Sequence, residues 1–250
     1  MVRLLLISLI SLPLVAGNNA ITVEHKGSAS VINIKQVGYT NNATVYCGLS
    51  NGVYSTHTCT RATININTTG HGNTARAYSQ WSNHSDNTFT ITQTGDNNFG
   101  YLDLDMDDNT GTIIQNGNSN TGIVLMAGSD NAYAINQTGN SKYAKIHAFG
   151  DDADTTITQS GTGAHNGYVY NYNYADNNSS TITQSGSGAH DADIFWYSDA
   201  DDGVASITQS GSGDHTARLN FYNDDWNVGV TQSGANDKSF TATYNCVSSC

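Results

Sequence analysis

The residues with the most reactive side chains are four cysteines, Cys47, Cys59, Cys246 and Cys250. An even number of cysteines in an exported chain is typical of disulfides, and four cysteines allow three pairings. We expect Cys47–Cys59 to staple an insertion over residues 46–60, and Cys246–Cys250 to close a loop in the tail at 245–250. The alternative is a zinc site, but the two pairs lie at opposite ends of the chain. That arrangement differs from the spacing of structural zinc fingers.

Three histidines, His165, His190 and His215, occupy equivalent places in consecutive repeats, each at the end of a turn. Their imidazoles could bind Zn²⁺ or Cu²⁺, or could make assembly sensitive to acid. The simpler interpretation is that a turn residue was duplicated together with its repeat, and we favour it because repeats also copy neutral residues.

A second turn in most repeats is acidic. Stacked carboxylates about 5 Å apart repel each other, and bound Ca²⁺ would relieve that repulsion. We prefer the alternative, in which aspartate favours the turn conformation and a charged rim discourages sideways aggregation. The acidic residues are Asp107, Asp108, Asp130, Asp151, Asp152, Asp154, Asp176, Asp199, Asp201, Asp202, Asp224 and Asp225.

These groups are carried by a repeat whose copies read Ile-x-Gln-x-Gly. Gln93, Gln115, Gln137 and Gln159 are separated by three successive spacings of 22 residues. The isoleucine column comprises Ile34, Ile66, Ile91, Ile113, Ile135, Ile157, Ile182, Ile207 and Val230. The middle column comprises Gln36, Thr68, Gln93, Gln115, Gln137, Gln159, Gln184, Gln209 and Gln232. The glycine column comprises Gly38, Gly70, Gly95, Gly117, Gly139, Gly161, Gly186, Gly211 and Gly234.

The position five residues after the middle column holds asparagine in the first four copies, Asn41, Asn73, Asn98 and Asn120. By the same count, the later copies carry Lys142, Ala164, Ala189, Asp214 and Asp237. From the sixth copy the first turn is one residue longer, and the apolar pattern resumes one place later, at Val169 for example.

Alternation of apolar and polar residues on both sides of each turn predicts a strand–turn–strand–turn unit. One such unit cannot bury its inner face, so the copies must stack. Stacking places isoleucines in a dry core and lets glutamine and asparagine side chains hydrogen-bond along their own columns. We expect the glycines to supply turn dihedrals that other residues resist. The fold class is all-β, a single elongated β-solenoid of about nine rungs, roughly 40 Å long at the usual strand spacing.

The N-terminal segment and the net charge of the chain restrict the classes of function that we expect. Residues 1–17 resemble a secretory signal peptide, with Arg3 followed by an apolar run that is too short to cross a membrane. We expect residues 18–250 to form one exported domain without a transmembrane segment. The formal net charge of −12 argues against nucleic acid as a partner. The carboxylates lie in turns, and no nucleophile–base constellation stands out from the repeat, so we expect no enzyme.

The motif resembles the curlin repeat of bacterial curli subunits, Ile-x-Gln-x-Gly-x-x-Asn-x-Ala. Residues 34–43 match it at every defined position, and 66–75 match it except at Thr68. The resemblance covers roughly residues 31–245 and implies a secreted subunit of a functional amyloid fibre that serves adhesion and biofilm matrix. It also implies self-assembly, a nucleator subunit and an outer-membrane export channel. The second glutamine usual in the family is replaced here by residues such as Asp105, Met126 and His147.

A second function also fits the outward residues. Pairs such as Thr90 and Thr92 form an array like that of ice-binding proteins, although Ile114 and Asn136 interrupt it. Outward aromatic residues suggest glycan or surface adhesion, or simply cross-strand stacking that stiffens the sheet. They are Tyr168, Tyr170, Tyr172, Tyr174, Phe195, Tyr197 and Tyr222. Ice or glycan binding is therefore the alternative to a fibre.

Overall fold

The computed structural model describes residues 10–11, 19–48, 59–79, 86–105, 107–150, 152–172, 177–197, 203–222 and 227–245. The described residues form strands and turns and contain no helix. None of them therefore belongs to a helix that is long and apolar enough to span a membrane.

The strands are short and follow each other at the period of the sequence repeat. In chain order they are β1 (Ile10–Ser11), β2 (Ala20–His25), β3 (Gly27–Ser28), β4 (Val31–Lys35), β5 (Asn42–Cys47), β6 (Cys59–Thr60), β7 (Thr63–Asn67), β8 (Ala75–Ser79), β9 (Thr88–Thr90), β10 (Gln93–Thr94), β11 (Tyr101–Leu104), β12 (Ile114–Asn116), β13 (Ile123–Ala127), β14 (Asn136–Thr138), β15 (Lys145–Phe149), β16 (Asp154–Thr156), β17 (Thr158–Gln159), β18 (Tyr168–Tyr172), β19 (Ser179–Thr181), β20 (Ala192–Tyr197), β21 (Val204–Ile207), β22 (Ala217–Tyr222), β23 (Asn227–Val230) and β24 (Phe240–Asn245).

All strand pairs are parallel, and each joins one repeat to the next. One face of the solenoid is a continuous sheet with the order β2-β5-β8-β11-β13-β15-β18-β20-β22-β24. The opposite face is built from β1-β4-β7-β9 and β16-β19-β21-β23, and single bridges from Thr88 through Thr110 and Ala132 to Asp154 connect these two sheets. A third, narrow sheet, β10-β12-β14-β17, carries Gln93, Gln115, Gln137 and Gln159 of the glutamine column. The stacked parallel β-solenoid predicted from the repeat is thus confirmed.

Alternation within each strand decides which side chains are buried. In the third copy Phe89, Ile91 and Gln93 are buried, whereas Thr90 and Thr92 are partly exposed. The register pairs each residue with its equivalent in the next copy, as Val124 with Ile146 and then Val169. The pairing of Ile146 with Val169 confirms that the first turn gains one residue at the sixth copy.

The core is a narrow layer between the two faces, and it runs the length of the stack. The isoleucine column from Ile34 to Ile207 is at most 4% exposed. It packs against a column of alanine, valine, leucine and isoleucine on the long sheet. Full burial of one such side chain stabilises the fold by roughly 1.5–3 kcal/mol. Small residues let the faces approach: a Cβ on Gly100 would lie 2.8 Å from the Cγ2 atom of Ile113.

The conformational role expected for the glycine column is wrong. In that column, no glycine from Gly38 to Gly234 has φ in the left-handed region. The positive φ falls on the following residue instead, 77° at Asp96, 84° at Asn118 and 81° at Asn140. Aspartate and asparagine tolerate this conformation better than most residues, so the turn obtains its left-handed residue from the position after the glycine.

Two of the predicted boundaries lie partly outside the described residues. Ile10 and Ser11, which belong to the predicted signal peptide, pair with Ile34 and Lys35 at the edge of β4. The insertion is described only at its ends, where β5 closes at Cys47 and β6 opens at Cys59. Cys246 and Cys250 lie outside the described residues, and the tail disulfide remains a prediction.

Candidate functional site

A ladder of glutamine side chains runs through the core, and we call it the glutamine ladder. From Gln93 to Gln232 each amide lies 2.6 to 2.9 Å from the amide of the next copy. Thr68, which replaces glutamine in the second copy, forms a hydrogen bond between its Oγ1 atom and the side-chain amide of Gln93 at 3.2 Å. An amide carries both donors and an acceptor, so each rung satisfies its neighbours in a dry interior.

Asn41, Asn73, Asn98 and Asn120 form a second buried column, the asparagine ladder. Successive side chains are joined by hydrogen bonds of 2.9, 2.7 and 2.8 Å. Lys142 ends this ladder, and its main-chain amide donates to Oδ1 of Asn120 at 3.2 Å. Its Nζ atom is surrounded by the carbonyl oxygens of Asn140, Gly161 and Gly163 at 2.8 to 3.2 Å.

The three histidines, each at the end of its first turn, continue this same buried column. His165, His190 and His215 are at most 1% exposed. Because Lys145 pairs with Tyr168, the residues three places earlier, Lys142 and His165, are equivalent. The count that assigned Ala164, Ala189 and Asp214 to the asparagine position missed the extra turn residue.

The histidines form a stack that we call the histidine ladder. Ring centroids of His165, His190 and His215 are 4.8 Å apart at each step, and the rings are within 6° of parallel. Both nitrogens of each ring face main-chain carbonyl oxygens: Nε2 of His165 lies 2.6 Å from Ser160 and Nδ1 lies 3.2 Å from Gly188. The nitrogens proposed as metal ligands are thus occupied by the main chain.

Burial dominates the electrostatics of this ladder. Desolvation lowers the pKa of His165 to about 4, outweighing the two carbonyl contacts that raise it, and the charge of Lys142 lowers it further. The pKa of His190 is also lowered, first by burial. A neutral imidazole has one N–H group, so each neutral ring can donate to only one of its two carbonyls.

A further amide column was missed by the sequence analysis. It lies at the second turn and comprises Asn87, Asn109, Asn131 and Asn178, each about 1% exposed. Asn87 donates from Nδ2 to Oδ1 of Asn109 at 3.1 Å, and the main-chain amide of Asn109 donates to Oδ1 of Asn131 at 2.8 Å. The spacing of 22 residues from Asn87 to Asn109 to Asn131 is the signal that could have revealed it.

The two ends of the stack differ in how completely they are covered. In the last rung, residues 227–243 are all exposed or partly exposed, and Phe240 is 50% exposed. Strands β23 and β24 are the last members of their sheets among the described residues. At the other end, the Oε1 atom of Gln36 is buried and has no hydrogen-bond partner among them.

Outward aromatic residues on the long sheet stack on one another across rungs. Tyr172 and Tyr197 have ring centroids 4.7 Å apart at 2°, and Tyr170 and Phe195 are 5.3 Å apart at 11°. All four are only partly exposed. This geometry fits the cross-strand stacking that stiffens a sheet. Tyr174, which was predicted to belong to the same aromatic face, lies outside the described residues.

The acidic residues considered as calcium ligands lie on the exposed rim, and the predicted disulfide lies near the first rungs. Asp107, Asp108, Asp130, Asp152 and Asp154 are exposed; the remaining acidic residues of that turn lie outside the described part. Oδ1 of Asp107 accepts a hydrogen bond from the main-chain amide of Ser129 at 2.6 Å. Cys47 and Cys59 are buried and joined as a disulfide with their Cα atoms 5.5 Å apart.

In-register parallel strands with stacked apolar and amide columns define a β-solenoid of the cross-β type. The family described as Curlin associated repeat matches residues 107–139. That segment contains Gln115 and Gln137 with their isoleucines and glycines. The match confirms the resemblance and supports placing the chain among curlin-repeat proteins. No curated protein and no solved structure matches the chain significantly.

Proposed function

We propose that the chain is a subunit of a curli-like amyloid fibre, in which copies add to one another rung on rung. The observation that carries the proposal is the continuity of the glutamine ladder up to the exposed last rung, at Gln232. Curlin repeats belong to structural amyloid subunits, which fits a role in a fibre rather than in catalysis.

The two ends supply complementary edges for head-to-tail addition. Among the described residues, no strand pairs with the outer edge of β24, and Val228 and Val230 offer apolar surface that the core covers only partly. At the first rung, the unpaired Oε1 atom of Gln36 can accept from an amide that continues the ladder. Removal of the predicted signal peptide would also free the edge of β4 that now pairs with Ile10.

This function places the mature chain, residues 18–250, outside the cell as a fibre or pilus that mediates adhesion and biofilm matrix formation. The fibre itself is a homopolymer. A nucleator subunit and an outer-membrane export channel are the further partners that a curlin-type route requires. Exposed main-chain edges make spontaneous pairing with other chains a hazard inside the cell, which is the physical reason for a dedicated nucleator.

The first test is electron microscopy of the purified mature chain at neutral pH, with and without reductant, alongside thioflavin fluorescence. We expect fibres in both conditions. Fibres only after reduction would mean that the cysteine-bearing segments protect the rung edges. A folded β-rich monomer that persists in both conditions would overturn the proposal.

Two neighbouring residues provide a matched test of edge addition. Phe240 pairs with the buried Ala217, so Phe240 is on the inward side, whereas Thr241 pairs with the exposed Arg218. Phe240→Lys buries a charge in each new junction and should slow elongation at least tenfold. Thr241→Lys adds the same charge on the outward side and should leave elongation within about twofold, because an exposed charge is well solvated. Equal rates for the two variants would contradict addition at this edge.

Ice or glycan binding through the outward Thr and Tyr residues remains the second candidate. It is favoured by the aligned rings of Tyr172 and Tyr197, which present a flat aromatic surface. Thermal hysteresis measurements and a glycan array with the monomer would test it. Binding lost in Tyr172→Ala but retained in Phe240→Lys would separate this function from assembly.

A further inference from the structure

His25, Cys47 and Cys59 converge at a buried point in the first rungs. One potential ligand atom from each residue lies within 4.8 Å of those of the other two. Stacking brings them together, because His25 pairs with Cys47 in β2–β5 and Cys59 pairs with Gly27 in β3–β6. In the described part of the chain, this is the one group of His, Cys and acidic residues that converges in this way.

Two buried polar atoms, on residues paired with Cys47, have no hydrogen-bond partner among the described residues. One is Nε2 of His25, a residue that is only 6% exposed. The other is Oγ of Ser79, which belongs to the residue paired with Cys47 on the other side. An unpaired buried polar atom is destabilising, so a ligand that engaged Nε2 of His25 would stabilise the first rungs.

We propose that these residues form a Zn²⁺ site when Cys47 and Cys59 are reduced, with His25 Nε2 and the two Sγ atoms as ligands. Two thiolates neutralise the dication, which a buried site requires. Two cysteines and one histidine are a known ligand set for zinc, with a fourth position open to water. His25 also contacts the main chain of Gly27 through a hydrogen bond, the kind of contact that orients a metal-binding imidazole.

The zinc site and the disulfide are mutually exclusive states of the same two sulfurs. Opening the Cys47–Cys59 bond takes two electrons and two protons from a dithiol reductant, which is oxidised to its own disulfide. Zn²⁺ then displaces the two thiol protons and binds the thiolates. Either state ties β5 to β6 across the insertion, so zinc would hold the first rungs together before oxidation.

The test uses the full-length chain carrying Cys246→Ser and Cys250→Ser, so that the tail thiols cannot bind metal. The protein is reduced anaerobically with a phosphine, and Zn²⁺ is titrated in competition with a chromogenic chelator. We expect one equivalent to bind to the reduced chain and none to the oxidised chain. Co²⁺ in place of Zn²⁺ should give the absorption of tetrahedral thiolate coordination.

Variants separate a built site from two free thiols. His25→Ala should weaken zinc binding at least tenfold, and Cys47→Ser should abolish stoichiometric binding. His71→Ala is the matched control, because His71 is an exposed histidine and its loss should leave the affinity unchanged. Formation of the Cys47–Cys59 disulfide in oxidised His25→Ala, read by mass spectrometry, would show that its first rungs still fold. Equal affinity of His25→Ala and the parent, or no stoichiometric binding by the reduced parent, would overturn the proposal.

Discussion

The column that follows the first turn holds asparagine in the early rungs and histidine in the late rungs, so the two regions can be compared directly. In the early region each amide both donates and accepts, and the ladder from Asn41 to Asn120 is satisfied by its own members. In the late region the rings stack on one another and turn their nitrogens to the main chain. Amide side chains do not titrate, whereas imidazoles do, and burial lowers the pKa of His165 to about 4.

Lys142 stands where the two regions meet. It is 1% exposed, and its Nζ atom contacts three main-chain carbonyl oxygens on both sides of the junction. Burial lowers the pKa of this amine. A primary ammonium has three donors and no acceptor, so Nζ of Lys142 can donate to all three carbonyl oxygens at once.

The largest effect is expected when one core isoleucine is removed from each region. Ile91→Ala in the early region and Ile182→Ala in the late region should each destabilise the monomer by about 2–5 kcal/mol, because both side chains are fully buried. Chemical denaturation of the freshly purified monomer would measure this. Equal losses are expected if the solenoid unfolds as one unit; a loss confined to one region would show that the two regions unfold separately.

The next largest effect is expected at Lys142, the junction between the two regions. Lys142→Met should cost about 1.5–3 kcal/mol, because it leaves three buried carbonyl oxygens without a charged donor. Lys145→Met is the control: Lys145 lies on the outward side with its Nζ atom 5.2 Å from the ring centroid of Tyr170, and its loss should cost less than about 1 kcal/mol. Similar losses for the two variants would contradict a special role for the junction.

Acid should distinguish the two regions. The folded-state pKa of His165 is about 4, below its unfolded value of 6.5, so the unfolded chain binds more protons between these values. The contribution of neutral His165 to the free energy of unfolding is therefore fully present above pH 6.5 and is lost as the pH falls towards 4. The expected loss for this residue is roughly 1–3 kcal/mol. Urea denaturation of the monomer across this range would measure the loss.

The variant that sharpens this test carries asparagine at His165, His190 and His215. It should lose less stability between pH 6.5 and 4 than the parent. Some acid sensitivity should remain, because burial also lowers the pKa of His147 to about 4 and lowers that of His25. An identical pH dependence in parent and variant would show that the histidine ladder does not set the acid response.

The smallest effect concerns one rung of the asparagine ladder. Asn98→Ala leaves Asn73 and Asn120 each without one buried partner and should cost about 1–3 kcal/mol. Asn97→Ala, in the exposed turn of the same rung, should cost less than about 0.5 kcal/mol. Thermal unfolding of both variants at neutral pH checks the difference, and a larger loss for Asn97→Ala would contradict the importance of burial.

The sequence by itself determined the fold class, the parallel stacking and most of the core. The reason is that a solenoid places equivalent residues above one another, so a periodic sequence reports its own contacts. The isoleucine and glutamine columns and the shift at the sixth copy were predicted from spacing alone. The amide column was equally periodic from Asn87 through Asn109 to Asn131, before Ala153 interrupts it, but it was overlooked.

Only the tertiary structure decided where irregular residues fall. The longer turn of the sixth copy was visible in the spacing, but the burial of His165 in the column of Asn120 and Lys142 was revealed only by the stacked structure. The left-handed φ lies one place after each glycine because the turn dihedrals depend on the whole loop rather than on one residue type. The meeting of His25 with Cys47 and Cys59 joins different rungs across an insertion, where the period is broken and sequence distance no longer reports proximity.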